Sequence, residues 1–531
     1  MKQQVGPLSL VALIITTAAP AQRSVHTDDE LGVKLTAPPR WAYLGAAGDL
    51  GSLRALFAAP RVLAAKVAQV QPHTPVLRVL WFPKRPPPAE KQPAPKWPLR
   101  SPYLDYKDYL GRVYGPLTKV LTTEAGTVGA LNGRRIHAQA LRGGGIIELH
   151  AAVVPREGGE LALEFEVLPD HSPKLKGQFD KCFDSLAATP VVKPTAGAAQ
   201  PTWQSDPAAW RKLPTAERAT QRKAFGTRFL AERGKHREPG WRTQVTRHFV
   251  VLTRADSRST TRIVQAAEVV RAWAESRLDK VSDDVVMPAV LRIFDDRREL
   301  TAFSERDSGV REYRPELREI HYFRDPTLGN AGTGFGPLVR GVFWQCLHDK
   351  HSDVLDNMPR WLDQGLWSYL ESSRLKGKKL ELFPGEVELG RYRNHARNKT
   401  PGPALWDLIQ ERAQPLPKDG SVEKPWGYIP ESARLLRWLD AGGSTFFKQQ
   451  DLLAGYLGQI GKTAVELGPS PDLGVDWLRL DEAKSTELRK LVQARKVKFL
   501  EKVNFTLIPI SDTEWRAADA AFIEYNAKLK R

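Results

Sequence analysis

Cysteine is scarce in this sequence. Cys182 and Cys346 are the only two in 531 residues, so no disulfide framework holds the fold together. Each sits among apolar residues, Cys182 beside Phe179 and Phe183 and Cys346 beyond Val342 and Phe343 at helical spacing, which predicts two separate buried thiols rather than a bridge. A long hydrophobic run is missing after the first twenty residues, which leaves no later membrane-spanning segment. Also missing are a G-x-S-x-G elbow, a P-loop and a dinucleotide fingerprint. No intact H-E-x-x-H occurs, and no nucleic-acid fold motif or base-stacking pattern interrupts the basic stretches.

What is present is a globular composition, 41% hydrophobic and 26% charged, with an excess of Lys and Arg that sets the net charge at +18. That excess favours anionic partners such as envelope polymers. At the start, Met-Lys, an apolar run from Val5 to Ala18 and Ala19-Pro20-Ala21 follow the order of a secretory signal, so residues 1–21 are expected to be a cleaved export signal and the protein periplasmic or extracellular. No cysteine stands near the cleavage point, which argues against a lipoprotein anchor.

Residues 24–190 read as an α+β, sandwich-type domain. Apolar runs at 76–80, 133–140, 146–154 and 161–167, the last three separated by glycine-containing breaks, predict strands of a meander, and 176–186 carries the apolar stripe of a helix. Eight prolines in residues 83–102 mark an exposed insertion. Residues 191–207 read as a linker and 208–246 as a basic helical segment. In residues 247–465, strands at 248–253, 290–294 and 319–323 and a helix at 260–278 precede a mostly helical stretch. Residues 466–531 read as a helical, basic extension.

The segments Leu338-Val-Arg-Gly-Val-Phe-Trp-Gln-Cys-Leu-His348 and Pro359-Arg-Trp-Leu-Asp-Gln-Gly-Leu366 carry a resemblance. Together they are similar to the peptidase MA-like (gluzincin) family, in which one helix bears H-E-x-x-H and a second, after P-x-W-L-x-E-G-L, supplies a glutamate as third zinc ligand. Pro359, Trp361, Leu362, Gly365 and Leu366 keep the family's frame. The resemblance covers roughly residues 245–465 and implies a small α+β subdomain followed by a helical one. The terminal helix and Pro38-Pro-Arg-Trp41 of the first domain weakly resemble the photosystem-P-protein/Mog-like α+β domains, which bring no catalytic residues.

The zinc chemistry implied by the family is not supported by the residues at its motif positions. Two imidazoles at i and i+4 hold the metal and the intervening glutamate takes a proton from its water. Here those positions hold Trp344, Gln345 and His348, and Gln364 replaces the third ligand. An indole N–H has no lone pair for a metal and neither glutamine accepts a proton near neutral pH. A catalytic zinc normally has three protein ligands, so neither metal nor cofactor is expected, with His348 the one ligand-type residue retained. This points to a pseudo-peptidase with a binding or scaffolding role at the envelope. Its cleft would take a peptide or anionic polymer through Trp344, Gln345, His348, Gln364, Trp367 and Tyr428. Two alternatives stand beside it. One is an active zinc peptidase whose unorthodox ligands, among His321, Asp349 and Asp363, join His348. The other is an envelope-binding module acting through the N-terminal domain.

Overall fold

The computed structural model describes residues 25–45, 52–65, 72–84, 103–115, 117–142, 145–191, 207–235, 238–304, 312–315, 317–324, 335–377, 379–384, 405–409, 429–447, 451–468, 470–471, 482–507 and 511–528. The signal segment, most of the proline-rich insertion, most of the linker and Tyr428 lie outside them. The fold is α+β, in two compact units: residues 1–87 with 99–195, and 88–98 with 196–531.

The first unit is built on a seven-stranded antiparallel sheet in the order β3-β4-β5-β9-β8-β7-β6. Its strands are β3 (Ala42–Gly45), β4 (Leu53–Ala58), β5 (Val76–Pro83), β6 (Lys119–Val128), β7 (Leu131–Arg142), β8 (Gly145–Arg156) and β9 (Gly159–Val167). A smaller sheet joins β1 (Val25–Asp28), β2 (Val33–Thr36) and β10 (Ala187–Ala188). Alternation sends successive side chains to opposite faces, and here both faces are buried. One face packs Leu77, Val79, Ala152, Val154, Leu163 and Phe165 against Phe179, Cys182 and Phe183 of helix α2 (Ser172–Asp184). The other packs Leu80, Phe82, Leu149, Ala151 and Ala162 against Tyr106, Tyr109 and Leu110 of helix α1 (Tyr106–Val113).

This second face also buries charge. Glu164 accepts hydrogen bonds from the hydroxyls of Tyr106, Tyr109 and Tyr114 at 2.9, 3.2 and 2.8 Å and from Arg78 at 3.1 Å. Arg78 also reaches Glu166 at 2.6 Å. Each carboxylate is thereby paired and hydrogen-bonded, the condition under which burying it is tolerable.

The second unit has a five-stranded sheet in the order β11-β12-β13-β15-β14, from β11 (Arg242–Val245), β12 (Phe249–Thr253), β13 (Ala289–Phe294), β14 (Tyr313–Arg314) and β15 (Glu319–Phe323). The three central strands are parallel and the two flanking ones antiparallel. Strand β11 falls within the segment read from sequence as helical, which therefore combines helix α3 (Thr215–Arg233) with an edge strand of the following sheet. Helix α4 (Ser257–Leu278) links β12 to β13. Asp256 caps it, accepting the Ser259 N–H at 2.9 Å, and Ile263, Ala267, Val270, Ala274 and Leu278 form its buried stripe.

After the short helix α5 (Arg297–Ser304), the helical part contains α6 (Gly336–Lys350), α7 (Ser352–Asn357), α8 (Arg360–Glu371), α9 (Ile429–Asp440), α10 (Leu452–Leu467), α11 (Glu482–Leu507) and α12 (Asp512–Lys528). Prolines at the starts of α6 and α8 set their first turns. The last two helices are not a separate appendage, since Phe499, Val503, Ala518 and Phe522 lie in the same core as Leu338, Leu362 and Leu436. Among the described residues no helix is long and apolar enough to cross a membrane.

Candidate functional site

Helix α6 is buried on nearly its whole circumference. From Gly336 to Lys350 only Pro337, Trp344 and His348 keep partial exposure, and steps of seven and four residues put these three on one stripe. Trp344 and His348 therefore share a partly exposed stripe, and Gln345, one position round the helix, lies off it.

Gln345 is fully buried. Its Oε1 accepts from Arg271 Nη1 at 3.0 Å, and its Nε2 donates at 2.8 Å both to the Met287 carbonyl and to Asp349 Oδ2. Arg271, itself buried on α4, also donates to the carbonyls of Val286 and Met287. Asp349 accepts the Met287 N–H at 2.9 Å and forms a two-pronged pair with Arg318, one contact at 2.8 Å. Burial alone would raise the Asp349 carboxyl, but Arg318 against it holds it below the ordinary range. A ligand reaching Gln345 would have to displace this network, so Gln345 does not line a cleft.

His348 faces Tyr313, whose hydroxyl stands 3.5 Å from Nδ1 with the ring centroids 5.8 Å apart. Although part of the residue remains accessible, burial brings its pKa down to about 4, with Asp349 opposing that shift. The imidazole is neutral at physiological pH.

The other named donors do not converge on His348. His321 lies on β15 with Nε2 3.2 Å from Glu319 Oε2, its ring edge-on to Phe294 and Phe303. Asp349 belongs to the Arg318 pair. Asp363 stands on the outer face of α8, where desolvation of the carboxyl and the Glu312 charge raise its pKa. Among the described residues, no group of three metal-donor side chains converges on His348. With one imidazole, an indole and a neutral amide at Gln364, these positions do not fit a zinc ion.

On α8, Trp361, Leu362, Gly365 and Leu366 are buried and Gln364 is half-buried. Trp367 is 46% exposed. The Arg340 guanidinium, from the first half of α6, lies 4.6 Å over its ring. Arg340 is in turn paired with Glu312 and Glu371. Gly365 is needed where α8 meets α9, because a Cβ there would stand 2.9 Å from Ser432 Cβ and 3.1 Å from its backbone carbon.

Sequence reasoning named the motif positions and missed what holds them: Arg271, Arg318, Arg340 and Glu312. A signal was present in Arg271, which interrupts the apolar stripe of α4 between Val270 and Ala274 and so requires a buried partner. Arg222 belongs to the basic helical segment expected over 208–246, yet it does not face solvent. It is instead buried, donating to the carbonyls of Val285 and Asp349. Both cysteines are free and buried, as the sequence predicts.

The sequence matches no protein-family model and no curated protein. Among solved structures the chain is similar to cyanobacterial PsbP (CyanoP) from Synechocystis sp. PCC 6803, at 14% identity, covering 34% of this chain and 99% of that one with a TM-score of 0.22. It is also similar to LpqN, described as involved in cell envelope biogenesis of Mycobacterium tuberculosis, at 15% identity, covering 32% and 91% with a TM-score of 0.21.

Proposed function

We propose that this chain is an exported, catalytically inactive protein of gluzincin-like form that works by binding or scaffolding at the cell envelope. The observation carrying this reading is the burial of Gln345. The position where a zinc peptidase keeps its general base is here a neutral amide joining α4, α6 and the chain at Met287. Such a group stabilises the fold and cannot take a proton from a water molecule near neutral pH. Binding falls to the accessible surface that remains, Trp344 and His348 on α6 and Gln364 and Trp367 on α8. Two indoles and a neutral imidazole suit a peptide or polymer segment, and the +18 charge of the chain favours an anionic one.

The test is hydrolysis of casein and of short fluorogenic peptides by the full chain with zinc supplied. No cleavage above buffer is expected. Activity lost both to a zinc chelator and to His348→Ala would overturn the reading. In co-sedimentation with purified envelope fractions, Trp367→Ala is expected to weaken binding about tenfold, the effect of losing one exposed aromatic anchor.

A further inference from the structure

We propose that the first unit carries a binding site for a divalent first-row transition metal, zinc foremost, made by His137, Glu148 and His150. The inference is independent of the proposed function, which concerns the second unit.

Strands β7 and β8 set these residues in place. His137 on β7 and His150 on β8 are directly opposite in the register, and Glu148, two residues before His150, projects from the same face. The imidazoles stack with centroids 4.4 Å apart and planes inclined by 13°. Both Nε2 atoms lie close to one carboxylate oxygen: that of His137 is 3.3 Å from Glu148 Oε2, and that of His150 is 3.4 Å from it. One donor atom from each of the three residues lies within 4.8 Å of those of the other two. A tetrahedral zinc with ligands at its usual bond lengths requires donor atoms about 3.4 Å apart. Two edges of that tetrahedron are therefore already in place, and the third closes by a small splay of the stacked rings.

The surroundings suit a metal better than an ordinary ion pair. His137 Nε2 is shielded from water and makes no hydrogen bond of good geometry. The Ser172 hydroxyl, at the start of α2, stands 2.7 Å from His150 Nε2. A metal arriving there would displace it toward Glu148, which Ser172 also serves. Helix α2 fixes the wall of the site, since Arg135 on the same sheet face reaches Asp180 and Asp184 and Phe179 packs on the His150 ring.

Two nitrogen donors and one oxygen select a borderline ion such as zinc over calcium or magnesium, which take oxygen ligands. Three protein ligands leave a fourth position for water.

The experiment is calorimetric titration of zinc into the full chain, untagged and stripped with chelator, with calcium as a second titrant. One zinc per chain and no calcium binding are expected. His137→Asn and His150→Asn should each weaken zinc binding by at least about 100-fold, the upper end of what outer-shell changes cost. Glu148→Gln, nearly isosteric, should weaken it by at least about tenfold. In each variant an unreactive Cys182 thiol reports that the unit is folded. His348→Asn should leave the stoichiometry at one. Absence of zinc binding by the stripped wild type, or stoichiometric binding that survives both histidine substitutions, overturns the proposal.

Discussion

Gln345 shows how a single side chain decides between a catalytic and a structural reading. As an amide it accepts from Arg271 and donates to both Met287 and Asp349. A glutamate keeps the first bond and loses the other two, and it places a second buried carboxylate against Asp349. Gln345→Glu is therefore expected to destabilise the second unit by about 3–5 kcal/mol, the scale of an uncompensated buried charge, without creating peptidase activity. Urea unfolding measures the first outcome, and an unchanged midpoint would mean that Arg271 alone accommodates the charge. His348 gives a pH signature. Its pKa of about 4 in the folded chain lies below the value of about 6.5 expected when unfolded, so between these values the unfolded chain takes up the proton. Stability is therefore complete above about pH 6.5 and is lost as the pH falls toward 4. Because His348 keeps some surface, about 1–3 kcal/mol is at stake. His348→Asn should remove this component, read as a smaller drop in urea midpoint from pH 7 to pH 5 than in wild type. His26, His150 and His321 are shifted downward too, and because they remain in the variant they cancel in the comparison.

At the scale of elements, legibility followed burial. The runs at 76–80, 133–140, 146–154 and 161–167 all form strands, because apolar side chains mark positions that the sheet buries. Strand β6 was missed because Lys119 to Thr127 is exposed throughout, and an edge strand with nothing to bury has no alternation to read. In β9, Glu164 and Glu166 occupy the positions that alternation assigns to water. The structure buries both, and the partners that permit it, Arg78 and the tyrosines of α1 and its flank, come from more than forty residues away in the sequence. The motif helices were legible because their frame residues are core residues, whereas the direction of Gln345 depends on Arg271 and Met287, which no local pattern connects to it. Two glycines turn this contrast into a prediction. Gly365→Ala gains about 1 kcal/mol in helix propensity but drives a methyl group into the Ser432 backbone, so a net loss of about 1–3 kcal/mol is expected. Gly111→Ala in α1 meets nothing within 4 Å and should stabilise by about 0.4–1 kcal/mol. Denaturant midpoints of the two variants check the opposite signs.

For the whole molecule, the scarcity of cysteine becomes a tool. Each unit has its own core and one thiol, Cys182 in the first and Cys346 in the second. Burial pushes both thiols up to about 12, so almost no thiolate is present near neutral pH and neither should react with an alkylating reagent in the folded chain. Both should react once urea exposes them. Pulse alkylation across a urea series, with the two peptides quantified by mass spectrometry, then yields one unfolding curve per unit. Gln345→Glu and Gly365→Ala are expected to shift the Cys346 curve to lower urea and leave the Cys182 curve in place, while Gly111→Ala moves only the latter. A saturating metal should protect Cys182 alone, because a ligand that binds the folded unit stabilises it by mass action and His137, Glu148 and His150 belong to that unit. If every substitution moved both curves together, the two units would unfold as one cooperative body rather than independently.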